Sequence, residues 1–196
     1  MTTITTAEHV NSTVQPFSGP STLRVTWADY ARVAALLTAF GFLLAYLLRQ
    51  ASEPAPHAEE LLGPVFAMVA VVACVWLLMV AVRNYVAIRG LASPQYYVDY
   101  STHPPADWVE RPARTFNNLM QMPILFYLVC TLMLLTHQLD RAQLACAWLF
   151  VALRVLHAVV YIGWNPLPYR FATWMMGSIT LFVIWTRFAR QVWGLF

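Results

Sequence analysis

Five apolar stretches separated by short polar breaks make up most of this chain. The first, Trp27 to Leu48, is about 22 residues long, enough to cross about 30 Å of hydrocarbon at 1.5 Å per residue. Asp29 and Arg32 stand at i, i+3 in its first turns and can pair or reach the interface. The segment Arg49 to Glu60, with Pro54, Pro56 and three Glu, ends it. Leu61 to about Ile88 is the second span, and it closes on Arg83, Asn84 and Arg89. A polar loop with Tyr and Pro, Ser93 to Pro112, leads to a third span over Ala113 to Thr136, with a kink expected at Pro123. The break His137 to Arg141 is short, which makes the third and fourth spans antiparallel neighbours. The fourth covers about Ala142 to Gly163, and the two-proline turn at Trp164 to Pro168 leads to a fifth over Tyr169 to about Phe188.

Two of these spans carry polar stripes. In ERPARTFNNLMQMPILFY, Arg111, Arg114, Asn118 and Gln121 fall at i, i+3, i+7 and i+10, one face of a helix that then runs from Pro123 to Thr136 with no charge. In LRVLHAVVYIGW, Arg154, His157 and Tyr161 fall at i, i+3 and i+7. Arg154 stands near mid-span, where a charge costs at least about 2.5 kcal/mol on insertion scales. Polar faces on consecutive antiparallel helices are expected to meet. They either form a functional site or satisfy one another as interhelical glue, for example Arg154 with Gln121 and Asn118.

Composition narrows the class. The 196 residues are 60% hydrophobic and 11% charged, with a mean hydropathy of +0.57, and so describe one membrane domain rather than a soluble one. The net charge of +3 comes from twelve Arg with no Lys, dispersed along the chain, which is no nucleic-acid footprint. Cys74, Cys130 and Cys146 lie in apolar runs without CxxC spacing and read as buried packing residues, with no disulfide framework. His9, His57, His103 and His137 have no partner at ligand spacing, and no metal site is expected. P-loop, GxSxG and HExxH motifs are missing, which removes the commonest nucleotide, serine-hydrolase and metalloprotease readings. A channel or transporter has only the intramembrane charges in its favour and no inverted repeat.

Residues 1–26 are rich in Thr and Ser, lack the apolar core of a cleavable signal, and read as a flexible tail. With five spans, Arg24, Arg32, Arg83, Arg89, Arg111, Arg114 and Arg170 share one side of the membrane, against Arg49, Arg141, Arg187 and Arg190 on the other. The excess predicts a cytoplasmic N-terminus and a periplasmic C-terminus, in a bacterial inner membrane.

The two polar stripes together resemble a known family. RPARTFNNLMQMPILFY looks like the Arg-x-x-x-Asn-x-x-Glu-then-Pro element of the MAPEG proteins, the membrane-associated proteins of eicosanoid and glutathione metabolism. RVLHAVVY looks like their Arg-x-x-His-x-x-x-Tyr element. The resemblance covers about residues 64 to 193. It implies an all-α membrane fold: a MAPEG-like four-helix bundle over 61–196 with 27–48 as an additional N-terminal transmembrane helix. It also implies a homotrimer with glutathione as cofactor, bound between subunits. By position, Arg114, Asn118, Gln121, Arg154 and His157 match residues that hold glutathione or organise its site, and Tyr161 and Arg170 are the candidates for stabilising its thiolate. The chain departs from the pattern at Gln121, where the family has Glu, and at Phe171 and Trp174, where the prostaglandin branch has a hydroxyl residue and Tyr.

Two functions follow. One is a glutathione-dependent transferase or peroxidase acting on lipophilic electrophiles from the bilayer. The other is a non-catalytic scaffold or accessory subunit of a larger membrane complex, docking through Trp27 to Leu48.

Overall fold

The computed structural model describes residues 25–52, 54–93, 95–99 and 104–194. Helix α1, Trp27–Arg49, starts where Thr26 and Asp29 cap one another, the Asp29 amide donating to the Thr26 hydroxyl and the Thr26 amide to the Asp29 carboxylate. Two short 3₁₀ turns, Gln50–Ser52 and Ala58–Leu61, carry the chain to α2, Leu62–Ile88. The rest is α3 (Tyr96–Asp99), α4 (Asp107–Leu119), α5 (Met122–Thr136), α6 (Arg141–Ile162) and α7 (Leu167–Val192), with no strand among the described residues. The expected N-terminal tail, with His9, and the segment around His103 lie outside the described residues.

Among the described residues, four segments are long and apolar enough to cross a membrane: Trp27–Ser52, Ala58–Ile88, Asp107–Thr136 and Arg141–Ile162. The fifth long helix, α7, has 26 residues and is more polar, with Arg170, Arg187 and Arg190. The protein is an all-α integral membrane protein. Helices α2, α4–α5, α6 and α7 form a four-helix bundle, with α6 on α7 as its most extensive seam, and α1 packs on the outside of α6 and α7. The core is apolar: Phe126 of α5 stacks on Phe150 of α6 with centroids 4.7 Å apart, among Met68, Val129, Met133, Cys146 and Ile184.

The region of the third span differs from the sequence reading in two ways. Its helix begins at Asp107, not Ala113, because Asp107 and Glu110 favour a helix N-terminus and the polar residues that suggested a loop form an amphipathic first half. Pro123 then does more than kink it. Proline can neither donate to the Leu119 carbonyl nor tolerate it closely, so the helix stops at Leu119 and restarts at Met122.

A second correction concerns Cys74, which is exposed on α2 while Cys130 and Cys146 are buried. Helix α2 buries only Pro64, Met68, Val75 and Val86, and its outward face is as apolar as its inward one, so hydropathy alone could not distinguish them.

At the end of the bundle where α6 begins, Asp140 ties the start of α6 to α7. Its Oδ1 accepts from the Gln143 amide at 2.7 Å, and its Oδ2 accepts from Arg187 at 2.5 Å and Gln191 at 2.8 Å on α7. Replacing Asp140 with Ala removes the cap and strands Arg187, and is expected to cost about 2 kcal/mol or more. Thermal unfolding in detergent should therefore show a melting temperature several degrees lower, with Asp140→Asn retaining part of the loss.

Candidate functional site

The turn between α6 and α7 brings the polar stripes together at the opposite end of the bundle. Asn165 takes φ of +52° there, and Pro166 and Pro168 fix the entry to α7. The Asn165 side-chain oxygen accepts a hydrogen bond from Arg170 at 2.8 Å, and the Arg170 guanidinium lies 4.6 Å from the centre of the Tyr161 ring. Arg111 reaches across from α4 and donates to the Gly163 carbonyl at 2.5 Å, satisfying the last turn of α6.

These contacts bound a cleft of about 210 Å³ lined by Asn118, His157, Tyr161, Leu167, Arg170, Phe171 and Trp174. Four of the seven residues expected from sequence thus share one cleft. Its lining has one full cation and no carboxylate. One wall is aromatic, with Phe171 and Trp174 stacked at 6.2 Å.

His157 is 2% exposed. Its Nδ1 lies 3.2 Å from the Arg170 carbonyl and 3.1 Å from the Thr173 hydroxyl. A carbonyl can only accept, so Nδ1 carries the proton in the neutral ring and Nε2 is left as an acceptor. That Nε2 is buried and has no partner among the described residues, and neither has Oδ1 of Asn118. Two acceptors at the cleft therefore call for donors from outside the chain.

Arg154 is placed differently. It is fully buried behind the cleft, donating from Nη2 to the Trp174 carbonyl at 3.2 Å and lying 5.1 Å from the centre of the Phe150 ring. Its Nε and Nη1 have no partner among the described residues. The alternative pairing with Asn118 and Gln121 is not what it makes. The space for its head group comes from Gly177 of α7, where a Cβ would lie 3.0 Å from the Arg154 Cζ and closer still to Nη2. Gly177→Ala is expected to push the guanidinium off Phe150 and Trp174 at a cost of about 1–3 kcal/mol, read as a lower melting temperature.

Arg114 and Gln121 lie outside this cleft. Arg114 is exposed and pairs with Asp107, which also holds Arg111 Nε at 2.7 Å. Arg114 lines a separate cleft of about 350 Å³ with Tyr96, Pro104, Pro105, Asp107 and Glu110. Gln121 is exposed in the break between α4 and α5. Helical spacing had aligned it with Asn118, and the Pro123 break ends that alignment. Among the described residues, no three His, Cys, Asp or Glu converge as a metal site would require.

The model of the MAPEG family matches residues 61–190 of the chain. The chain belongs to the MAPEG family. No curated protein and no solved structure is matched. The MAPEG match contains all the cleft residues and starts at Leu61, so α1 precedes it.

Within this MAPEG chain, sequence reasoning overlooked three supporting residues. Asn165 positions Arg170, Asp107 gathers Arg111 and Arg114, and Gly177 accommodates Arg154. Only Gly177 left a legible signal: it is the one glycine of α7, and a mid-span arginine on the neighbouring helix needs a small residue opposite it.

Proposed function

We propose that the protein is a glutathione-dependent transferase or peroxidase acting on lipophilic electrophiles that enter from the bilayer. The observation that carries this reading is the cleft itself: Arg170 and Tyr161 at its rim, unpaired acceptors on Asn118 and His157, and no carboxylate in its lining. This donor set fits glutathione, whose carboxylates suit guanidinium and whose amide N–H groups suit the two bare acceptors.

When bound, glutathione supplies the nucleophilic thiol. The chain contributes the environment: the Arg170 guanidinium favours negative charge beside the Tyr161 hydroxyl, and the Phe171–Trp174 wall offers an apolar electrophile a surface with little water. Family membership supports a homotrimer in which a neighbouring subunit completes the site, and the distribution of Arg supports a cleft facing the cytoplasm of a bacterial cell.

Purified protein in detergent, assayed with glutathione and either 1-chloro-2,4-dinitrobenzene or a fatty-acid hydroperoxide, tests this directly. Turnover above the uncatalysed rate is expected with at least one of them. No turnover with any electrophile, in protein that remains folded, would count against catalysis.

One observation favours the second reading, a non-catalytic scaffold or accessory subunit. Gln121 faces out of the cleft, while α1 presents Trp27, Phe42 and Tyr46 on an exposed lateral surface. Purification in mild detergent separates the two: a lone trimer that binds glutathione argues for the enzyme, and a stoichiometric partner held through α1 argues for the subunit.

A further inference from the structure

Twenty residues before Tyr161 on α6, about 30 Å away at 1.5 Å per residue, the bundle has a second polar cleft. It has a volume of about 450 Å³ and is lined by Tyr46, Arg49, Gln50 and Arg141. Arg49 ends α1 and Arg141 begins α6, so two guanidinium groups from separate helices face one cavity, with no carboxylate among the described residues of its lining.

Among the described residues, the neighbouring acids offset this pair only weakly. Arg141 meets Glu60 at 3.7 Å with both side chains almost half exposed, a setting in which ion pairs are weak. Arg49 makes no side-chain ion pair or hydrogen bond among the described residues. Asp140, next to Arg141, is already held by Gln143, Arg187 and Gln191. Among the described residues, Arg49 is therefore without a counter-charge and Arg141 has only a weak one, so the cleft favours an added anion.

Depth suggests the source of that anion. Both arginines stand at the ends of membrane-spanning helices, the level of the lipid headgroups. Tyr46 is 63% exposed at the cleft, and Leu43 and Phe42, three and four residues before it on the same helical face, are exposed toward the hydrocarbon. A cationic head site thus continues into an apolar track along α1.

We propose that this cleft binds the phosphate of an anionic phospholipid headgroup, with Arg49 and Arg141 as its guanidinium clamp and the exposed face of α1 as the bed for an acyl chain. Guanidinium is suited to phosphate because its paired N–H donors match two oxygens of the diester. A zwitterionic lipid fits less well, since its ammonium would stand beside the same two arginines. The site is independent of the glutathione cleft and would lock α1 to the family bundle.

Thermal unfolding of the full-length protein in detergent tests it, with dioctanoyl phosphatidylglycerol, dioctanoyl phosphatidylcholine and inorganic phosphate as separate probes. Phosphatidylglycerol is expected to raise the melting temperature and to half-saturate at a concentration at least about tenfold lower than phosphatidylcholine. Arg49→Gln, which breaks no side-chain bond among the described residues, should weaken that half-saturation by about tenfold or more, as should Arg141→Gln, while Arg49→Lys restores part of it. Inorganic phosphate matching the lipid would mark a free-anion site and overturn the lipid assignment. An equal response to the two lipids, no response to phosphatidylglycerol, or an unchanged response in Arg49→Gln would overturn the proposal.

Discussion

Replacing Arg154 with Met is expected to raise the thermal stability of the solubilised protein and, at the same time, to abolish any stabilisation by glutathione. Arg154 is fully buried and, among the described residues, has one hydrogen bond, to the Trp174 carbonyl, and two guanidinium nitrogens without partners. A buried cation in that state is a burden on the fold, and an apolar side chain of similar length removes the desolvation cost while still filling the space between Phe150 and Gly177. Arg154 also holds the backbone of Trp174, a residue of the cleft wall, so its replacement is expected to disturb the cleft while relieving the fold. Arg154→Ala should lose the glutathione response as well, but should melt earlier than Met, because truncation leaves a void costing about 2–4 kcal/mol. Melting curves of the three proteins with and without glutathione check this. An Arg154→Met protein that still responds to glutathione would show the residue to be structural.

The second large effect concerns Arg170. Arg170→Leu is expected to lower the turnover of glutathione conjugation by about a hundredfold or more, the scale seen when one preorganised stabiliser of developing negative charge is removed. Its guanidinium is fixed from two sides, by Asn165 at 2.8 Å and by the Tyr161 ring at 4.6 Å, so it is held in place before any ligand arrives. Tyr161→Phe should have a smaller effect, since the ring that supports Arg170 remains and only the hydroxyl is lost. Steady-state rates at several pH values separate stabilisation from binding: loss of thiolate stabilisation moves the rate profile of Arg170→Leu to higher pH, whereas loss of binding alone raises KM and leaves the profile in place.

The long helices were legible because the bilayer is an unforgiving solvent. It demands about twenty apolar residues per crossing, and the breaks at 49–60, 137–141 and 164–168 are polar or proline-bound. The lipid-facing and core-facing sides of α2 were not legible, because both solvents are apolar, and Cys74 came out exposed for that reason. The site was half legible. His157 and Tyr161 share a face because i, i+4 spacing survives wherever a helix is intact, and the packing of α4 on α6 brings Asn118 to them. Gln121 was misplaced because the Pro123 break ends the helical register at Leu119, and no count along an ideal helix crosses such a break. The setting of Arg154 was largely hidden for another reason. Its contacts with the Trp174 carbonyl and the Phe150 ring face have no signature in residue type or spacing, and only the lone glycine of α7, Gly177, hinted at the space its head group takes.

The central claim is that this MAPEG protein has a working glutathione site. Isothermal titration of glutathione into the detergent-solubilised native protein, beside a Gln121→Glu variant, tests it most directly. Saturable heat from the native protein, whatever the variant does, is the predicted result. Binding by the variant alone would mean that the family carboxylate is indispensable and its loss has disabled the site. That outcome, or silence from both proteins, would contradict the account.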